Sequence, residues 1–196
     1  MTRTADDTFI HQARRKQLIG CAVEVIAELG LANASTVRIA ERAGVSRGVL
    51  TYHFRDRAEL IEQVVQHVYA LGAELIGPKM VVARSPREAL LTFIQGSVEL
   101  YAAHPRDMLA LTEIFAGSRT ERADDQRHQQ EVSDLSRILL AGQEQGQFRD
   151  FDVNVMCRSI RGALDGALSH VLAGGEVEPY AAELLEIFDA ATAVRR

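Results

Sequence analysis

Tryptophan is absent from the 196-residue chain, and proline and cysteine are scarce, with four and two copies. The two cysteines, Cys21 and Cys157, lie far apart in the sequence. They cannot build the disulfide framework of a small secreted domain or the paired spacing of a zinc site, and both read as free thiols. No stretch reaches the roughly 20 apolar residues of a membrane span, and the first residues lack the apolar core of a signal peptide. A cytoplasmic protein that does not enter a membrane is expected. No glycine-rich phosphate loop or nucleophile elbow is present, and the six histidines are scattered. The chain is therefore not expected to be an enzyme or to need a cofactor. An active centre assembled only in space would leave no such signature. With so few prolines and only short β-branched runs, helix is the default throughout, and an all-α protein is expected.

The most informative segment is 35–60, STVRIAERAGVSRGVLTYHFRDRAEL. Ser35 can cap a short helix by accepting a hydrogen bond from an exposed backbone N–H, and Ile39, Ala40 and Ala43 form its inward strip. Gly44 stands where that helix must stop, since glycine enters the left-handed region at no steric cost. Val45 plugs the turn. Ser46 caps a second helix over 47–52, with Val49 and Leu50 on its inner side and Phe54 closing it. Asp56 caps a third, with Glu59 as the return half of a capping box. Helix, tight turn, helix is the grammar of a helix-turn-helix that places one helix in the DNA major groove, although an ordinary helical hairpin has the same bare outline.

The particular residues resolve that choice by resemblance. Ile39-Ala40, Ala43-Gly44-Val45-Ser46, Gly48, Leu50, Tyr52-His53-Phe54 and Arg57-Ala58-Glu59-Leu60 resemble the N-terminal domain of TetR-type (TetR/AcrR) transcriptional regulators, over about residues 14–68. The chain departs from the usual pattern at Thr51, where a tyrosine is common, and at Arg57, where a lysine is common. The resemblance implies an N-terminal three-helix helix-turn-helix DNA-binding domain, 1–56, and a C-terminal helical ligand-binding and dimerisation domain, 57–196, with about nine helices in all. It also implies a homodimer that binds double-stranded operator DNA, and a small-molecule effector.

A net charge of −5 looks wrong for a DNA binder, but it is unevenly spread. Residues 1–60 hold nine Lys and Arg against seven Asp and Glu, whereas 61–196 hold thirteen against twenty. Phosphate attraction is screened over roughly 8–10 Å, so the local field governs binding. Arg14, Arg15, Lys16, Arg38, Arg42, Arg47, Arg55 and Arg57 are available to that field. Arg47, in the first turn of the second helix, is the expected guanine reader, and Gly48 leaves room for close approach. Thr51 is placed to touch a thymine methyl or a phosphate, and Tyr52 and His53 to touch phosphates, a plain structural role being the alternative for His53. Ser35, Thr36 and Arg38 position the backbone, Ser46 caps, and Arg57 holds a phosphate at a helix start.

Further helices are expected over 8–29, with the stripe Leu18, Ala22, Ile26 and Leu29, and over 56–76. Others begin at Ser85-Pro86 and at Pro105, and three more cover 120–145, 152–173 and 179–194. Gly162, Gly166, Ser169 and Ala173 make a narrow strip of small residues, and mid-helix glycine costs about 1 kcal/mol relative to alanine. Close approach by another helix would explain that cost. With Leu185 and Phe188 this strip is the expected dimer interface, packing within one chain being the alternative. Phe93, Ser97, Tyr101, Met108, Phe115 and Met156 are candidate contacts for an apolar or amphipathic ligand, plain core being the alternative. Asp124, His128 and Glu131 have metal-capable helical spacing, but a solvated face explains them and no metal is expected. The competing readings of the whole chain are a ligand-independent architectural DNA binder and an enzyme without a recognisable motif.

Overall fold

The computed structural model describes residues 5–117 and 126–194, with side chains described for 10–116 and 134–194. The chain is all-α. Its described helices are α1 (Ala5–Leu29), α2 (Thr36–Arg42), α3 (Arg47–His53), α4 (Arg57–Val82), α5 (Pro86–Ala103), α6 (Pro105–Gly117), α7 (Gln126–Glu144), α8 (Val153–Leu172) and α9 (Val177–Thr192), with a 3₁₀ turn at Leu31–Asn33. They fall into two compact units, Met1–Ala70 with Arg106–Glu121, and Leu71–Pro105 with Arg122–Arg196.

In the first unit, Leu18, Ala22 and Ile26 of α1 are fully buried, as their spacing predicts. Leu29, expected on the same stripe, is instead 42% exposed. The helix ends there, and Gly30, at φ 74°, turns the chain away before Leu29 can face the core. Val25 is buried in its stead. The core does not stop at residue 56. Leu60, Ile61, Val64, Val65 and Val68 of α4 join it, as do Ala110, Leu111 and Ile114 of α6. A helix 50 residues downstream in sequence thus completes the unit that carries the helix-turn-helix.

Ion pairs hold α6 in the same place. Arg106, at its start, pairs with Glu24 and Glu28 of α1, and Glu28 also takes both terminal nitrogens of Arg42 on α2. The two guanidiniums, Arg42 first, lower the Glu28 carboxyl to about 2 from the ordinary 4.5. Folded Glu28 therefore stays charged where the unfolded chain already binds a proton. Its contribution to stability is complete above pH 4.5 and is lost as the pH falls through about 2. The substitution Glu28→Gln should flatten the fall in stability across that acid interval, read from urea midpoints at stepped pH. Equal slopes for the two proteins would remove the network from the account.

In the second unit α5 is central and packs against α7, α8 and α9. Ser85 caps α5, accepting from the Glu88 N–H at 3.1 Å, and Pro86 takes the first helical position, where no N–H is needed. Asp152 caps α8 through the N–H groups of Asn154 and Val155. The fourth helix runs on past Gly77-Pro78 to Val82 rather than ending at 76. Two contacts to α5 hold its last turns: Ile76 packs against Gly96, where a Cβ would lie 3.1 Å from the Ile76 side chain, and Lys79 pairs with Glu99. Tertiary contact here outweighs the helix-breaking tendency of proline.

Candidate nucleic-acid interface

The reading head is built from local hydrogen bonds. Ser35 Oγ accepts from the Arg38 N–H and Ser46 Oγ from the Val49 N–H, each at 3.3 Å. Gly44 turns the chain at φ 65°, between α2 and α3. Leu50 and Phe54 anchor the inner side of α3 in the core. Arg47, Gly48, Thr51 and Tyr52 are left exposed, together on the outward face. Ser35, Arg38 and Ser46 are exposed and Thr36 is half-buried.

The cations of this region are not equivalent. Arg47 makes no hydrogen bond or ion pair among the described residues, so its five donors are available to a base edge or phosphate. Arg38 donates to the Asn33 carbonyl at 3.0 Å, and Arg55 pairs with Glu59 at 3.1 Å. Arg42 is held by Glu28. Arg15 lies 4.4 Å from the centre of the Phe54 ring, donates to the His53 carbonyl and pairs with Glu59 at 3.3 Å. That knitting role of Arg15 had no sequence signal, because its partners lie 38 to 44 residues away.

Three expected placements change. His53 is 8% exposed, its imidazole 4.4 Å from that of His11 and covered by Tyr52, so it is a packing residue and not a phosphate contact. The guanidinium of Arg57 donates to the Ala34 carbonyl at 3.0 Å and to the Leu31 carbonyl. It ties the start of α4 to the turn before α2, where carbonyls at a helix junction need donors, and only its remaining N–H groups can meet a phosphate. Val49, expected on the inner side of α3, is 37% exposed, because seven residues offer inward room only for Leu50 and His53. Tyr52, 70% exposed, is steadied edge-on by the rings of His11 and His53.

The other candidate residues separate. Met108 and Phe115 pack against the core of the first unit. Phe93, Tyr101 and Met156 pack in the core of the second, and the Ser97 hydroxyl there donates to the Phe93 carbonyl at 2.8 Å. Those six side chains therefore do not line one compact core. On α8, Gly162, Ser169 and Ala173 are exposed, whereas Gly166 faces Tyr180 of the same chain, whose hydroxyl lies 3.2 Å from the place of a Cβ. Phe188 is 6% exposed, inside the core of its own unit, and Leu185 is half-buried against it. Asp124 and the side chains of His128 and Glu131 lie outside the described residues.

A family model for bacterial regulatory proteins of the tetR family matches residues 18–64. The HTH-type transcriptional regulator BetI 1 of Chromohalobacter salexigens is 36% identical over 87 residues, 44% of this chain and 43% of that one. The chain thus spans less than half the length of this relative. BetI of Pectobacterium atrosepticum is 26% identical over 172 residues, 80% of this chain and 84% of that one. The crystal structure of AibR in complex with isovaleryl coenzyme A and operator DNA superimposes with a TM-score of 0.76 at 18% identity, covering 89% of this chain and 97% of that one. At that identity the likeness speaks for the fold alone. The capped α2–turn–α3 unit and the family match across it lead to one conclusion: residues 18–64 form a DNA-binding domain of the tetR family of bacterial regulatory proteins, carried in a chain with the all-helical fold of TetR-type regulators.

Proposed function

We propose that the chain is a homodimeric one-component repressor that holds a pseudo-palindromic operator and releases it when a small apolar or amphipathic ligand binds. The observation that carries the reading is the outward face of α3, where Arg47 has no partner among the described residues and stands beside Gly48, Thr51 and Tyr52, while the neighbouring arginines are tied down. A two-fold dimer presents two such faces to a near-palindromic site. Support for an effector comes from the size of the second unit, which pure DNA architecture does not need, and from AibR, whose structure holds both isovaleryl coenzyme A and operator DNA. Phe93, Tyr101 and Met156 are the contacts we assign to the ligand. Release is a population shift, so the ligand must bind the released geometry better than the DNA-bound one.

Operator binding is the test. The chain is titrated against the DNA flanking its own gene by fluorescence anisotropy at two salt concentrations, beside Arg47→Ala. Wild type should bind tightly and with salt sensitivity, and loss of one bidentate arginine–guanine contact should weaken binding by about 5- to 150-fold, corresponding to roughly 1–3 kcal/mol. The loss should be confined to the operator. Equal, weak binding to any DNA, indifferent to Arg47, would reject α3 as a reader of that site.

A further inference from the structure

We infer that Val49 determines sequence specificity by contacting the 5-methyl group of a thymine in the major groove. This rests on the proposed reading of DNA by α3. The inward positions of α3 are filled by Leu50 and His53, and Val49 is left 37% exposed, with its isopropyl group outside the core. Its neighbours on the outward side, Arg47, Gly48, Thr51 and Tyr52, are all exposed. Outside Gly48 there is open room, since an added Cβ would meet only Ser46 Oγ, at 3.6 Å. A duplex can therefore come close to the backbone beside Val49.

Of the groups on the major-groove edge, one is apolar: the C5 methyl of thymine. The other groups that distinguish base pairs there are donors or acceptors that an isopropyl group would leave unsatisfied, and the bare C–H edges of cytosine and the purines project less far into the groove than a methyl. Thr51 also bears a methyl, but its hydroxyl is engaged with the Gly48 carbonyl at 3.1 Å. Val49 stands two residues from Arg47 in the same turn, so the first turn of α3 carries one reader for guanine and one for thymine. The amphipathic pattern assigned this valine to the core, and only the depth of burial separates it from Leu50.

The contact can be tested atom by atom. Binding sites are selected by the wild-type chain from a random double-stranded DNA pool, and each thymine of the recovered site is replaced singly by deoxyuridine, which removes only the methyl. At one position in each half-site the replacement should cost wild type about fourfold in affinity, the factor for one buried methyl. Val49→Ala should bind the unmodified site with that same deficit and show no further loss at that position. Alanine is the better helix former, so the variant should keep the wild-type melting temperature. Val49→Thr, which retains one methyl, should fall between the two. A selected site without a methyl-sensitive position, or an undiminished methyl effect in Val49→Ala, would overturn the inference while leaving operator binding intact. Failure to recover any sequence from the pool would instead reject DNA reading by α3, and the inference with it.

Discussion

Ile114→Ala should destabilise the helix-turn-helix unit by about 2–5 kcal/mol, although residue 114 lies more than 50 positions beyond that motif. Ile114 is fully buried in the cluster formed by Leu18, Ile26, Ile39 and Val64. Truncation to alanine removes three methyl or methylene groups and leaves a cavity that α1, α2 and α4 can close only in part. A typical domain is stable by 5–15 kcal/mol, so the loss is a large share of the whole. Far-UV circular dichroism in urea is the appropriate readout, because the chain has no tryptophan to report by fluorescence. Operator affinity should fall in parallel, since α2 and α3 depend on this core for their orientation. Thr112→Ala, on the exposed side of α6, should change neither property. Unaltered stability of Ile114→Ala would mean that α6 is not part of the core that supports the motif.

What the sequence made legible here is what short-range chemistry decides. Ser35, Ser46 and Asp56 cap as expected, and Ser85 and Asp152 open α5 and α8 in the same way, because an N-cap needs only a side-chain oxygen within reach of the next turn. Even so, the return bonds from Glu59 and Glu88 go to the N–H groups of Arg55 and Arg84, one residue before the cap. Gly44 and Gly174 take the positive φ that ends a helix. The periodic stripe of α1 is buried as spaced except at Leu29.

Long-range partnership was not legible. Arg57 looked like a phosphate ligand because charge and position suit that role, yet the Leu31 and Ala34 carbonyls that take its donors are 26 and 23 residues away. For His53 the sequence alone leaves a phosphate contact and a structural role open, and the ring of His11, more than 40 residues earlier on α1, packs against it and favours the second. On α6, helical spacing alone suggests a face of Met108, Leu111, Thr112 and Phe115, but the buried side is Ala110, Leu111 and Ile114, one step round the helix. A short helix with apolar residues on several sides has no unique inner face until its neighbours choose one. On α3, Arg47 is exposed and makes no hydrogen bond or ion pair among the described residues, because no acceptor nearby competes for it.

The same limit bears on the dimer, and a pair of substitutions separates its two readings. Phe188→Ala should lower the stability of the chain by about 3–5 kcal/mol, because the ring is buried among its own chain's side chains and not offered to a partner. Ile187→Glu should act differently. Ile187 is 47% exposed on α9, and Val155 and Leu172 are exposed with Gly162, Ser169 and Ala173 on α8. In the proposed homodimer this apolar surface meets its two-fold copy, and a carboxylate there must be desolvated without a partner or must drive the copies apart. Ile187→Glu should therefore sediment as a monomer at concentrations where wild type is dimeric. Association stabilises by mass action, so the wild-type melting temperature should rise with protein concentration, and that dependence should vanish in Ile187→Glu. Phe188→Ala should melt lower at every concentration but retain the dependence. If Ile187→Glu remains dimeric, the exposed α8–α9 face is not the contact. If Phe188→Ala dissociates without losing stability, its ring reaches a partner, contrary to its burial in one chain.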